Sequence, residues 1–478
     1  MATPLASAGN VVTTGAPWRV VLRLATPTVL AMLTQSIVNE VDIVFFSWLP
    51  CPESSNAQAA LLPSLILLWM FGGSLSAISV GTQAIAARRF AEGRHSDSGS
   101  VLVNSWFFSL AAGTLFTVVS YWLLPFFLEH LIKVLEVREA AHAYLKWRLL
   151  GIASMVITFS FKAFFDGIGK TYVHMVSAIV MNALNIALCM ILIFGRLGAP
   201  RMGIAGAGLA GFLSTWVGLF IMVGWAALPG YRKLYQPFSL AKLRRIMTFD
   251  ILRLSIPSGI ATLAVMSGFA LFAMIVSQLD SLADATTVHA ACPGGSAEAV
   301  NSAATTVIVG ILKLTFTACL AFGTSTATLV SQSLGEKKPE QAAHFGWVSV
   351  RLGLVIFGVV GLCEGVFFTE HILAFVTHSP AVREAALLPM RLMGLCTPLI
   401  AVGMILTQAL FGAGNTRFVM MVELVLHFTC LVPLAWLLGI TAGFGLSGIW
   451  SAAVVYVVLL TGIMTYKFSR RDWQAIRI

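Results

Sequence analysis

The residues best suited to chemistry are a few acids, amides and one lysine set inside long apolar runs. Asp42 and Glu40 lie in the run 20–48 with Gln35 and Asn39 close by, Asn182 and Asn185 in 172–195, Lys313 in 301–330 and Glu423 in 417–440. An ionisable group inside a membrane-spanning helix costs about 2.5–3.5 kcal/mol on insertion scales, so it marks a functional position by default. Gln35 and Asp42 are seven apart and share a helix face two turns apart, whereas Glu40 points elsewhere. A carboxylate in low-dielectric surroundings can exchange a proton near neutral pH, which is what a coupling cycle requires. The competing reading makes Asp42 a structural partner of a buried cation or backbone group.

Lys313 sits too deep to snorkel easily, and either pairs with a carboxylate or lines a cavity, where it would favour anionic or zwitterionic cargo. Asp42, Glu40 and Glu423 are its candidate partners, and Glu423 itself divides between a structural and a cavity role. Lys162 and Asp166 are an i, i+4 pair at a helix end, worth only tenths of a kcal/mol (~0.2–0.5) if solvated. Glu364 is expected at headgroup level. Asn182 and Asn185 are spaced either to face a cavity or to tie their helix to a neighbour, and Asn185 is taken as cavity-lining.

The elements that position these groups follow from composition. The chain has 478 residues, 58% hydrophobic and 10% charged, with a mean hydropathy of +0.89. Soluble domains carry about 25% charged residues, so an ordinary cytosolic enzyme is excluded. At roughly 20 apolar residues per span, twelve runs are marked off: 20–48, 59–86, 101–127, 143–165, 172–195, 203–228, 250–278, 301–330, 344–368, 386–411, 417–440 and 446–467. Continuous runs of this kind exclude a β-barrel, which would alternate over ~10-residue segments. The expected fold is an all-α integral membrane protein of twelve transmembrane helices. The first 17 residues lack the basic start and clean apolar run of a cleaved signal, so the first span is expected to be retained.

Cytoplasmic loops carry the excess of Lys and Arg. With both termini inside, 21 of these residues fall on the inner side and 8 on the outer, Lys313 being left within a span. The net charge of +10 is therefore read as topological, with anionic lipid headgroups rather than nucleic acid as its partner.

The chain also repeats. Gly81-Thr82 with Gly93 matches Gly323-Thr324 with Gly335, and Phe165-Asp166-Gly167-Ile168-Gly169-Lys170-Thr171 matches Leu410-Phe411-Gly412-Ala413-Gly414-Asn415-Thr416. Gly203-Ile204-Ala205-Gly206 matches Gly445-Leu446-Ser447-Gly448, and Pro27 has a counterpart in Pro257. These prolines are natural weak points for bending. The boundaries read as an N-terminal segment 1–17, a lobe 18–228, a basic linker 229–249, a second lobe 250–467 and a tail 468–478. Six spans per half give parallel repeats, the arrangement of secondary transporters that bind cargo between two bundles. A channel would more naturally be a ring of short subunits around a filter. The G-x-x-x-x-G-K-[ST] phosphate cradle is absent, so an ion gradient rather than ATP is the expected fuel.

On these residues the sequence resembles the multidrug and toxic compound extrusion (MATE) family over about 18–467. The matching pieces are Val41-Asp42, Leu329-Val330-Ser331-Gln332-Ser333-Leu334-Gly335, the two Gly-x-Gly-x-Thr ends, and Asn185-Ile186-Ala187-Leu188 running into Leu192-Ile193-Phe194-Gly195. The resemblance implies two pseudo-symmetric lobes in a V, no enzymatic activity, no cofactor beyond a coupling ion, and export of organic, often cationic, molecules against inward H+ or Na+. Asp42 matches the family's aspartate and Gln35 a polar position near it. The ion-coupling set implied is Asp42, Gln35 and Asn185, with Glu40, Asn39, Asn182, Lys313 and Glu423 toward the substrate cavity.

Departures from the pattern choose between the ions. Cys189 stands where some relatives carry a sodium-coordinating carboxylate, Gly211 where a threonine is expected, Val265 and Met266 near the NorM-branch glutamate, and Ile400 at an aspartate position. Sodium prefers several hard oxygens, so these losses favour H+ and a pattern closer to the DinF branch. A lipid-linked saccharide flippase of the same superfamily is the alternative. Cys51 and Cys292 fall at equivalent outer positions and are expected as free thiols, since a bridge there would staple the lobes. No metal-ligand spacing occurs. The protein is expected in the inner plasma membrane, as a monomer.

Overall fold

The computed structural model describes residues 16–50, 53–132, 134–283, 300–377 and 379–478. Cys51, Cys292 and the side chains of Asn39 and Glu40 lie outside the described residues. All regular elements among those described are helical. Eleven are long and apolar enough to span a bilayer, and a pair of helices bent by 44° completes a twelfth. In chain order we number them α1 (Pro17–Ser47), α2 (Asn56–Phe71 and Gly73–Ala91), α3 (His95–Leu131), α4 (Leu135–Gly167), α5 (Thr171–Phe194), α6 (Ile204–Ala227), α7 (Arg245–Leu282), α8 (Val300–Gly335), α9 (Pro339–Phe367), α10 (Pro380–Ala413), α11 (Thr416–Thr441) and α12 (Gly445–Ser469). Most run past the apolar cores by several residues, because backbone groups in lipid must stay paired within the helix until water is reached.

The two prolines fall at a crossover between the halves. Val20, Val21, Leu24 and Ala25, before Pro27, pack into a core made otherwise of α8, α9, α10, α11, α12 and Trp473 of the tail. Beyond it, Phe45 and Phe46 pack with α2, α4, α5 and α6. The arrangement repeats around Pro257: Ile251 and Leu254 join a first-half core, while Phe272, Ile275 and Val276 pack against second-half helices. α1 and α7 therefore each begin on the opposite half and finish in their own. Pro removes one backbone hydrogen bond from a helix interior, so the helix is weakest where its packing partner changes.

The halves meet at the end of the bundle where α1 begins and the C-terminal tail lies. Gln83 Nε2 donates to the Thr324 carbonyl and to Thr328 Oγ1, both at 2.8 Å. Ser331 Oγ donates to the Ala84 carbonyl at 2.7 Å and Gln332 Nε2 to the Gly167 carbonyl at 2.7 Å. The Val330-Ser331-Gln332-Ser333 stretch is thus an interhelical seam. The repeated Gly-x-Gly-x-Thr ends serve it locally. A Cβ on Gly412 would strike the Ala327 backbone, lying 2.8 Å from its carbonyl carbon. Gly414 closes α10 with φ +90°, a conformation favouring glycine.

The tail 468–478 is part of the seam. Trp473 is fully buried and stacks on Phe468 with ring centroids 4.6 Å apart. Arg88, from α2 of the first half, is buried and donates to the Ile476 carbonyl at 2.7 Å and the Ala413 carbonyl at 3.3 Å. Counting Arg88 as a topological charge was therefore incomplete: it clamps the tail and the end of α10 to the first half.

Candidate functional site

Asp42 lies near the far end of α1 and turns into the first half, where it is buried. Cys189 of α5 donates its thiol to Asp42 Oδ1 at 3.7 Å and lies 3.8 Å from Asn185 Oδ1, one turn earlier. Asn185 Nδ2 donates to Ser214 Oγ of α6 at 3.2 Å, and that hydroxyl donates to the Gly211 carbonyl. Asn182 Nδ2 reaches Thr34 Oγ1 of α1 at 3.1 Å. A polar ladder thus joins α1, α5 and α6 around the carboxylate. Each interhelical bond of this type averages only about 0.6 kcal/mol in a membrane, so its value lies in placement as much as in stability.

The position flagged as unusual, Gly211, has a structural counterpart. A Cβ there would collide with Arg148 Nη1 and lie 2.7 Å from its Cζ. The absent side chain is filled by the Arg148 guanidinium, which is half-buried and interacts electrostatically with Asp42 and Tyr144. Arg148 was assigned to the outer charge tally from its place in the sequence. It also fills the gap at Gly211 of α6 and acts electrostatically on Asp42, because α4 packs against that helix. The threonine-to-glycine departure was the signal that could have found it.

The other sequence candidates separate in space. Gln35 is half-buried two turns below Asp42, but Thr34 is the α1 residue that Asn182 bonds. Asn185 was expected to line a cavity; it is buried and tied to α6. Lys313 is half-buried on α8, one turn before Thr317, whose hydroxyl is 3.4 Å from Ser36 of α1. Glu423 is buried on α11 beside Tyr456 and His427. Lys162 and Asp166 form a 2.8 Å ion pair with side chains only 15% and 2% exposed, so it is an internal pair rather than a solvated helix-end one. Glu364, expected at headgroup level, accepts a 2.6 Å bond from Thr315 of α8 and is half-buried. A π-helical turn over Cys363–Phe367 rotates it inward.

Twelve spans in two repeated halves, each begun by a helix that starts on its opposite number, make a multi-pass membrane transporter and not an enzyme. The chain belongs to the MatE family, whose model matches residues 27–191 and 294–437, one stretch in each half. Among its relatives, a probable multidrug resistance protein NorM of Thermotoga maritima is 24% identical, covering 95% of this chain and 92% of that protein. Multidrug resistance protein PmpM of Pseudomonas aeruginosa is 25% identical, covering 95% and 92%. A MOP superfamily transporter from Pyrococcus furiosus superposes with a TM-score of 0.86 at 20% identity, covering 99% of this chain and all of that one. A multidrug resistance MATE family transporter in an outward-facing conformation gives 0.82 at 20%, covering 98% and 100%.

Proposed function

We propose that this protein exports organic small molecules, often cationic and amphiphilic, in exchange for inward protons, by alternating access between its two lobes. The observation that carries the choice of ion is the company Asp42 keeps. Its hydrogen-bond partner is the Cys189 thiol, and the Arg148 guanidinium acts on it electrostatically from its place over Gly211. A hard cation prefers several oxygen ligands, and neither a thiol nor a guanidinium supplies one. A proton needs one carboxylate oxygen and no shell. The Asp42 carboxylate also fits a pattern closer to the DinF branch. The multidrug resistance relatives named above support an organic cargo.

The charge distribution supports both termini in the cytoplasm and the chain in the inner membrane. The seam of α2, α8, α10 and the tail then closes the cytoplasmic side, and Pro27 and Pro257 serve as hinges where α1 and α7 change lobes. The protein works as a monomer in this reading. Inverted membrane vesicles test it: uptake of ethidium should collapse when ΔpH is dissipated and be abolished by Asp42→Asn. Collapse only on Na+ removal would overturn the ion, and transport of a polyprenyl-linked saccharide in place of dye would make the protein a flippase.

A further inference from the structure

The second half holds a buried polar cluster that the coupling scheme does not use. Tyr456 of α12 donates its hydroxyl to Glu423 Oε2 at 2.9 Å. His427, one turn after Glu423, has no exposed surface. Its Nδ1 lies 2.8 Å from the Glu423 carbonyl and 3.4 Å from Glu423 Oε2. The other ring nitrogen, Nε2, is buried without a hydrogen-bond partner. The ring sits 4.6 Å from that of Tyr456 and fills the place of a side chain on α7, since a Cβ on Gly268 would collide with it.

Two further observations bear on the cluster. α11 leaves α-helical pairing here and runs as a π-helix over Leu426–Leu431, a device found frequently at functional sites. The cluster is also the repeat counterpart of the ladder beside Asp42. Thr171 and Thr416 align at an offset of 245, and Gly203 and Gly445 at 242. On those offsets His427 stands for Asn182, Cys430 for Asn185 and Tyr456 for Ser214. One lobe carries neutral amides and a hydroxyl, where the other carries an imidazole, a thiol and a phenol beside a carboxylate.

We infer that Glu423, His427 and Tyr456 form a proton-binding site of the C-terminal lobe, separate from Asp42. The proton adds to the Glu423 carboxylate to form the acid, and the N–H bond of His427 moves from one ring nitrogen to the other as it passes. A buried carboxylate with a single full-strength donor is poorly solvated as an anion and well satisfied as an acid. His427 stays neutral while relaying: Nε2 takes up a proton as Nδ1 gives its own to Glu423 Oε2, 3.4 Å away, and the ring ends as the other tautomer. The groups facing the site are Tyr456 from α12, His427 and Cys430 from α11, and Gly268 and Phe269 from α7. On the α10 side, Ala401 and Ile405 share an apolar core with Val422 and Leu426 of α11.

The inference goes beyond the proton-driven reading and stands independently of Asp42. The test is infrared difference spectroscopy of the full-length protein in lipid vesicles, stepped between acid and alkaline pH. One carboxyl C=O band should vanish in Glu423→Gln and persist in Asp42→Asn. Tyr456→Phe, which keeps the carboxyl and changes one hydroxyl, should shift the same band to higher frequency as its donor is lost, and His427→Asn should slow its response to the pH step. A Glu423→Gln spectrum that superimposes on the parent, or a Tyr456→Phe band that does not move, overturns the site. Loss of a band in Asp42→Asn alone would leave the first-lobe reading intact and refute only this one.

Discussion

Arg88→Ala tests whether the tail is a latch between the lobes. Arg88 makes two bonds to carbonyls of the second half, at 2.7 and 3.3 Å, from a side chain almost wholly buried. Hydrogen bonds to charged groups contribute about 1.5–3 kcal/mol each. The desolvation of a buried guanidinium offsets part of this, because any state that parts the seam returns the cation to water. A net contribution on the order of 2 kcal/mol to the closed seam is reasonable, and its removal would shift the closed-to-open ratio by roughly 30-fold. Spin labels at the exposed positions Glu92 and Lys337, which flank the seam, report it through pulsed dipolar distances. The expected outcome is a second, longer population in Arg88→Ala, with the parent holding one short distance. An unchanged distribution in a folded variant would refute the latch and leave Arg88 as local packing.

Two other substitutions follow from the same geometry. Gly211→Thr should fold, because the atom it displaces is the far end of the flexible Arg148 side chain, yet it should cut ΔpH-driven ethidium transport at least tenfold by moving the guanidinium off Asp42; parental transport rates would show that Arg148 does not act there. Lys162→Met leaves Asp166 uncompensated in the interior and should cost about 3–5 kcal/mol, read as a lowered thermal midpoint in detergent, whereas Lys162→Met with Asp166→Leu should recover most of the loss.

Much of this molecule was legible from the order of its residues. Apolar runs near 20 residues leave a bilayer-spanning helix as the economical structure, because lipid offers no partner to an open backbone group. The repeat announced itself where backbone geometry is least forgiving: Gly167 and Gly412 where helices touch, Gly169 and Gly414 where a helix must end in a left-handed turn. Asp42 stood out because an acid among apolar residues is expensive.

What the sequence could not reveal were relations made by distant chain segments. Arg148 counted only as one of the outer-side charges until α4 and α6 packed, and Gly211 explained itself only with the guanidinium in its place. Arg88 read as one of many inner-side cations until the tail folded back over it. Glu364 and His427 were aimed by π-helical turns, which shift every following side chain around the helix without leaving a periodic mark. Composition and periodicity are properties of one helix against lipid, so the sequence by itself determined the spans, their number and the two-fold repeat. Which buried charge meets which partner depends on contacts across as many as 388 residues of chain, as between Arg88 and Ile476. Only the tertiary structure decided those, because the cost of burying a charge is set by whatever packing brings beside it.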